Sequence, residues 1–185
     1  MAESLNRLTL ERHELILADA GYCSIAGIEY VKRGGADVLI RVNPQAFVAY
    51  SPHGRRFALL TRLRALSQAG QVGEWEVVLR GPNMSFRGRV CAVRKSDHAI
   101  RLANRRLHRK ASKKQMNTKP ETLEFAKYVI VFTTRRGDSG AKILEWYRMR
   151  WQIELVFKRL KAWPNSVTYP NTMTAARGPG CTENY

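Results

Sequence analysis

The first regular pattern in the chain is a short apolar run, HELILA, from His13 to Ala18, which stops at Asp19. It predicts a buried strand. The next stretch, SIAGIEYVKRGG, spaces its apolar residues as a helix does and ends on Gly34 and Gly35, so it predicts a helix closed by glycine. ADVLIRV then predicts a second strand. Residues 13–42 therefore form an expected strand, helix, strand unit of the parallel-sheet kind, where ligands gather at the carboxyl ends of strands. Asp19 stands at such an end.

The pattern changes from about Phe47. It predicts a basic helix near Phe57 to Gln68, strands at EWEVVLR and RGRVCAVRK, and a longer helix in SDHAIRLANRRLHRKASKKQ, where Ile100, Ala103 and Leu107 fall at helical spacing. That helix carries seven lysines and arginines from Arg101 to Lys114 with no acid among them. A charged run is ordinarily a solvated face, but the complete absence of acids favours phosphate contact, with Arg105, Arg106, Arg109 and Lys110 as candidates. KYVIVFTT, Lys127 to Thr134, predicts a return to a buried strand. RRGDSGAKILEW supplies a turn with Asp138 or Ser139 as helix cap, and the helix continues through YRMRWQIELVFKRLK, Tyr147 to Lys161.

On a helical wheel of about 100° per residue, Trp146, Met149, Ile153, Val156, Phe157 and Leu160 occupy one arc of about 100°, the expected core face. At the edge of that face Tyr147, Arg150, Glu154 and Lys161 align within about 60°. From spacing alone, Glu154 with Arg150 four residues before it is as readily an ordinary surface pair as a functional one. The alignment of a Tyr and a second cation on the same seam is more than such a pair requires. Trp146 belongs with packing; Trp151, beside the seam, suits packing or stacking on a base.

Composition narrows the class of partner. With 185 residues, 44% apolar, and a net charge of +17, the chain suits a folded domain that meets a polyanion, nucleic acid before membrane. No apolar run approaches the roughly 20 residues of a membrane span, and the start lacks a signal pattern, so a soluble protein of the cytoplasm is expected. Cys23, Cys91 and Cys181 are odd in number and widely separated, which suggests neither a disulfide framework nor a zinc site. No GxGxxG, GxxxxGK[ST], GxSxG or HExxH occurs, and His13, His53, His98 and His108 share no ligand spacing.

The seam Tyr147-x2-Arg150-x3-Glu154-x6-Lys161 resembles the Y-R-E-K signature of bacterial insertion-sequence transposases of family four, in the DDE superfamily with an RNase H-like fold. VIVFTT resembles the strand before that helix, and ILADAGYCSIAGIEY the strand and turn bearing the family's second catalytic Asp. The resemblance implies that Asp19 and Glu154 are the second and third acids of the triad and ligands of Mg2+ or Mn2+. It also implies that Tyr147, Arg150 and Lys161 contact DNA phosphates. The implied partners are double-stranded DNA, as transposon ends and target, and a second copy of the chain or a full-length transposase.

Such chemistry is phosphoryl transfer, in which two divalent ions stabilise the attacking and leaving oxygens and are held by a few carboxylates. The family's first Asp lies on an earlier strand, and only about a dozen residues precede the strand ending at Asp19; Asp37 and Asp97 do not match its motif. The expected architecture is thus α/β: an incomplete RNase H-like core with an inserted strand-rich subdomain. Residues 1–46 form the partial core, 47–120 the basic insertion, 121–162 the strand and helix with the motif, and 163–185, rich in proline, a disordered tail. Expected activity is DNA cleavage and strand transfer, absent from the chain alone. Two alternatives stay open: a non-catalytic basic DNA-binding protein that interferes with a full-length transposase, and an RNA-binding protein with a structural seam.

Overall fold

The computed structural model describes residues 4–161, with the side chains of residues 151 and 153–161 outside the description. Strand β1 (Leu15–Ala18) leads through a short 3-10 turn (Ala20–Tyr22) into helix α1 (Ile25–Arg33) and back into strand β2 (Asp37–Arg41). Ser24 caps α1 by accepting from the Gly27 N–H at 3.2 Å, and the chain leaves it through Gly35, whose φ of 79° is readily available only to glycine. β1 and β2 pair in parallel, Leu15 opposite Asp37 and Ala18 opposite Ile40, as the apolar runs predict.

The remaining elements are helix α2 (Leu59–Arg64), strands β3 (Val72–Arg80) and β4 (Ser85–Arg94), helices α3 (Asp97–Lys113) and α4 (Pro120–Phe125), strand β5 (Tyr128–Thr133) and helix α5 (Gly140–Lys161). All five strands form one mixed sheet in the order β1-β2-β5-β4-β3. β5 pairs antiparallel with both β2 and β4, and β4 with β3. The strands of the expected insertion therefore extend the core's own sheet. Leu63, Val77, Leu79 and Phe86 join the same apolar cluster as Val38 and Ile40, so one core serves residues on both sides of position 47.

The sheet is covered on two faces, which sets the position of the functional helix. Val38 and Ile40 point into the cluster that holds Ile28 and Val31 of α1, whereas Leu39, Cys91 and Val131 point to the other face and pack on Ile143 and Tyr147 of α5. α5 is fastened at its start. Ser139 caps it, accepting from the Lys142 N–H at 3.3 Å, while Asp138 pairs instead with Arg135 at 2.7 Å. The Gly140 N–H donates to Glu74 Oε2 of β3 at 2.7 Å, and Glu74 is itself paired with Arg89 of β4. Arg89 also donates to the carbonyls of Asp138 at 2.7 Å and Arg135 at 2.8 Å, so one guanidinium ties the β5–α5 turn to the sheet.

Of the arc predicted as the core face, Trp146 packs beside the sheet, while the side chains of Ile153, Val156, Phe157 and Leu160 lie outside the described residues. Met149 is 45% exposed, while Gly140, Ile143 and Tyr147 are buried. The stripe laid on the sheet is thus the one that continues into the polar seam. Trp146 is half-buried beside it, with the Arg135 guanidinium 5.3 Å from its ring. Under this stripe the Asp19 carboxylate accepts from the Tyr147 hydroxyl and lies near the Arg150 guanidinium, which lowers the cost of burying the hydroxyl.

A candidate active site at the end of the first strand

Asp19 follows the last residue of β1, at the carboxyl end of a parallel strand. It occupies the cap position of the 3-10 turn, yet its side chain makes no capping hydrogen bond. The carboxylate, beside the Ala20 amide, also faces α5. Tyr147 Oη donates to Asp19 Oδ1 at 3.0 Å across 128 residues of sequence, and Arg150 Nη2 lies 3.6 Å from the same oxygen. The Arg150 guanidinium also sits 5.4 Å from the centre of the Tyr147 ring.

Electrostatics keep this acid charged. Partial burial alone would push the Asp19 carboxyl up, but the Ala20 amide, the Tyr147 hydroxyl and the charges of Arg150 and Arg41 outweigh it, and the net direction is below the usual carboxylate range. Tyr147 moves the opposite way: burial first, then the Asp19 charge and the hydrogen bond to it, hold its proton on. The hydroxyl is therefore a donor and Asp19 an ionised acceptor. With 48% of its side chain exposed against 18% for Arg150, Asp19 offers open carboxylate surface while its ring of partners is largely shielded.

The sequence-predicted residues divide into three groups. Asp19, Tyr147 and Arg150 are brought together. Arg105, Arg106, Arg109 and Lys110 lie exposed on α3, and Arg106 and Lys110 line a cavity together with Arg41. Trp151, Glu154 and Lys161 belong to α5, but their side chains lie outside the described residues. Arg41 was not singled out by the pattern. It ends β2 one register step beyond Ile40, the partner of Ala18, and so comes to lie beside Asp19. The signal was available only once the parallel register of the two strands was known.

Other chemistry is sparse. Among the described residues no group of three or more His, Cys, Asp or Glu side chains could hold a metal ion. At this site Asp19 supplies a hard, ionised oxygen donor of the kind magnesium takes. Burial, with the Glu74 charge next, pushes the Cys91 thiol up to about 12, which removes it as a nucleophile. No helix of the described residues is long and apolar enough to cross a membrane.

The site is thus an ionised Asp at the end of a parallel strand, held by the Tyr and Arg of a helix distant in sequence. Residues 1–166 match the transposase DDE domain family, and the chain belongs to it. It is 32% identical over 169 residues to the putative transposase InsL for insertion sequence element IS186A of Escherichia coli strain K12. The identity is also 32% to the transposase for insertion sequence element IS421 of Escherichia coli. In each case the match covers 87% of this chain and 45% of the relative, so the chain spans less than half the length of the curated relatives it matches. No solved structure matches the chain significantly.

Proposed function

We propose that this chain is the segment of a DDE transposase that carries the second and third acids, Asp19 and Glu154, of a site for DNA cleavage and strand transfer. The observation that supports this most is the convergence of Tyr147 and Arg150 on Asp19. Two members of a four-residue signature meet the independently chosen acid, 128 residues away in sequence, at a strand end suited to ligands. In this reading β1, α1 and β2 belong to an RNase H-like core, and β3 to β5 are interposed between the two acids.

Magnesium or manganese, when bound, would stabilise the attacking and leaving oxygens of a phosphodiester. Asp19 would be one of its oxygen donors, kept ionised by Arg150, Arg41 and Tyr147. Glu154, one helical turn beyond Arg150 in sequence, would be another. Tyr147 and Arg150 act first as positioning residues that aim and charge Asp19, and Arg150, with Lys161, would also meet flanking phosphates. Two carboxylates are too few for two ions, so the chain alone is proposed to be inactive in cleavage; no residue of this chain is assigned as the first acid of the triad.

Binding can be tested without catalysis. With about six phosphates contacted, affinity for duplex DNA is expected to fall on the order of 10³-fold between 50 and 200 mM salt, measured by fluorescence anisotropy. Replacing Arg105, Arg106, Arg109 and Lys110 together should weaken all duplex sequences alike and flatten that dependence. Salt-independent affinity would exclude DNA as the partner of this basic surface.

A further inference from the structure

The sheet end that carries Asp19 also carries a second polar feature. β5 and β4 run antiparallel to their neighbours, so the carboxyl end of β2, the start of β5 and the end of β4 lie side by side there: Arg41 opposite Val131, and Arg94 opposite Tyr128. Lys95 follows directly, its N–H bonded to the Lys127 carbonyl at 2.9 Å. Residues of α3 and α4 border this end, and with the sheet they line an open pocket of about 400 Å³.

Four cations line that cavity, Arg41, Lys95, Arg106 and Lys110, and no acid does. Leu107 and Phe125 form part of its wall, with the Thr122 hydroxyl among them. Lys95 is held in place by donating to the Ala126 carbonyl at 2.7 Å. Burial first, then repulsion from Arg41 and Arg106, lowers its pKa to about 8. Four cations from three separate elements, with no acid in the lining and only Asp19 beside Arg41 as a nearby counter-charge, make a region of positive potential suited to an anion.

We infer that this cavity binds a backbone phosphate of a DNA strand, with Arg41, Lys95, Arg106 and Lys110 as its ligands. The inference rests on the reading of duplex DNA as partner and adds a defined contact to it. A free phosphate would use the same four groups, but the basic surface continues from the cavity along exposed Arg109 and Lys113 of α3, which only a polyanion needs. Arg41 is shared: it influences both Asp19 and Lys95. β1 and β4 are three strand spacings apart, about 14 Å, or roughly four nucleotides at 3.4 Å each. A phosphate in the cavity would thus fix the register of the strand relative to Asp19.

The test is the rate at which Lys95 of the whole chain is acylated by an amine-reactive ester near pH 8, read by mass spectrometry, with no addition, with inorganic phosphate, and with duplex DNA. Only the neutral amine reacts, so raising the Lys95 pKa by one pH unit slows acylation about fivefold. At least that slowing is expected with duplex and, in the same direction, with phosphate. Lys32, paired with Asp37 at the opposite end of β2, serves as the reference and should change less than about twofold. Arg106→Gln, at an exposed position that leaves the fold intact, should remove most of the protection. If duplex is retained in a gel-shift experiment while Lys95 reacts at its original rate, the cavity is not a DNA contact, although the DNA reading survives. Protection by inorganic phosphate without duplex retention overturns both. An unchanged rate with both additions leaves no anion site.

Discussion

Tyr147→Phe removes a single oxygen from the centre of the candidate site. The ring stays packed: Tyr147 is 6% exposed and lies against Leu39, Cys91, Val131 and Ile143. What is lost is the 3.0 Å hydrogen bond to Asp19. A bond to a charged partner contributes roughly 1.5–3 kcal/mol when shielded. The Asp19 side chain is 48% exposed, so water takes over part of the hydroxyl's place, and the net loss should be about 1 kcal/mol. The pH dependence gives the sharper check. The folded pKa of Asp19 lies below its unfolded value, so its stabilising contribution is complete above the unfolded value of about 3.9 and lost as pH falls through the folded one. The deficit of the variant should be full at neutral pH and shrink from about pH 5 downward. Urea unfolding of both proteins at neutral pH and near pH 3 measures it, and carboxyl carbon NMR should show Asp19 titrating higher in the variant. An equal deficit at both pH values, or an unmoved Asp19 titration, would refute the hydrogen bond as the link between β1 and α5.

Two further outcomes test the frame around the site. Arg89→Met keeps most of the side-chain volume but releases the turn before α5 and leaves Glu74 with the Gly140 N–H and without its cation; it should cost about 2–3 kcal/mol in urea unfolding and speed amide exchange in the first turns of α5. β1 is an outermost strand of the sheet and Leu17 is 37% exposed, so the chain should self-associate with concentration in sedimentation experiments. Leu17→Lys should suppress that association without lowering the unfolding midpoint by more than about 0.5 kcal/mol equivalent.

Local pattern carried the β1, α1, β2 unit and the place of Asp19, because a parallel unit of this kind is built from neighbouring segments with one periodicity each. The seam of Tyr147 and Arg150 was likewise legible from spacing. The apolar arc of α5 did not foretell the exposure of Met149. Met149 is exposed because the polar partner that lets Tyr147 be buried comes from residue 19, which a helical wheel does not contain. The union of β3, β4 and β5 with β2 was hidden for a similar reason: the pairing of Leu39 with Thr133 spans the whole basic segment and leaves no local mark. Arg41 and Lys95 are ordinary basic residues in sequence. Only the register of three strands, β2, β5 and β4, brings them to one end of the sheet.

The central claim is that Asp19 and Glu154 are the acids at which DNA is cleaved. It is tested most directly by completing this chain with the remaining segment of a similar transposase and measuring strand cleavage of insertion-sequence ends with magnesium and with a chelator. The completed protein should cleave only with magnesium, and Asp19→Asn and Glu154→Gln should each lower the rate by at least about 10³-fold while duplex binding persists. If the completed protein cleaves and either variant cleaves as fast as its parent, that residue is no catalytic acid: Asp19 would then be a structural anchor for Tyr147 and Arg150, or Glu154 a mere surface partner on α5.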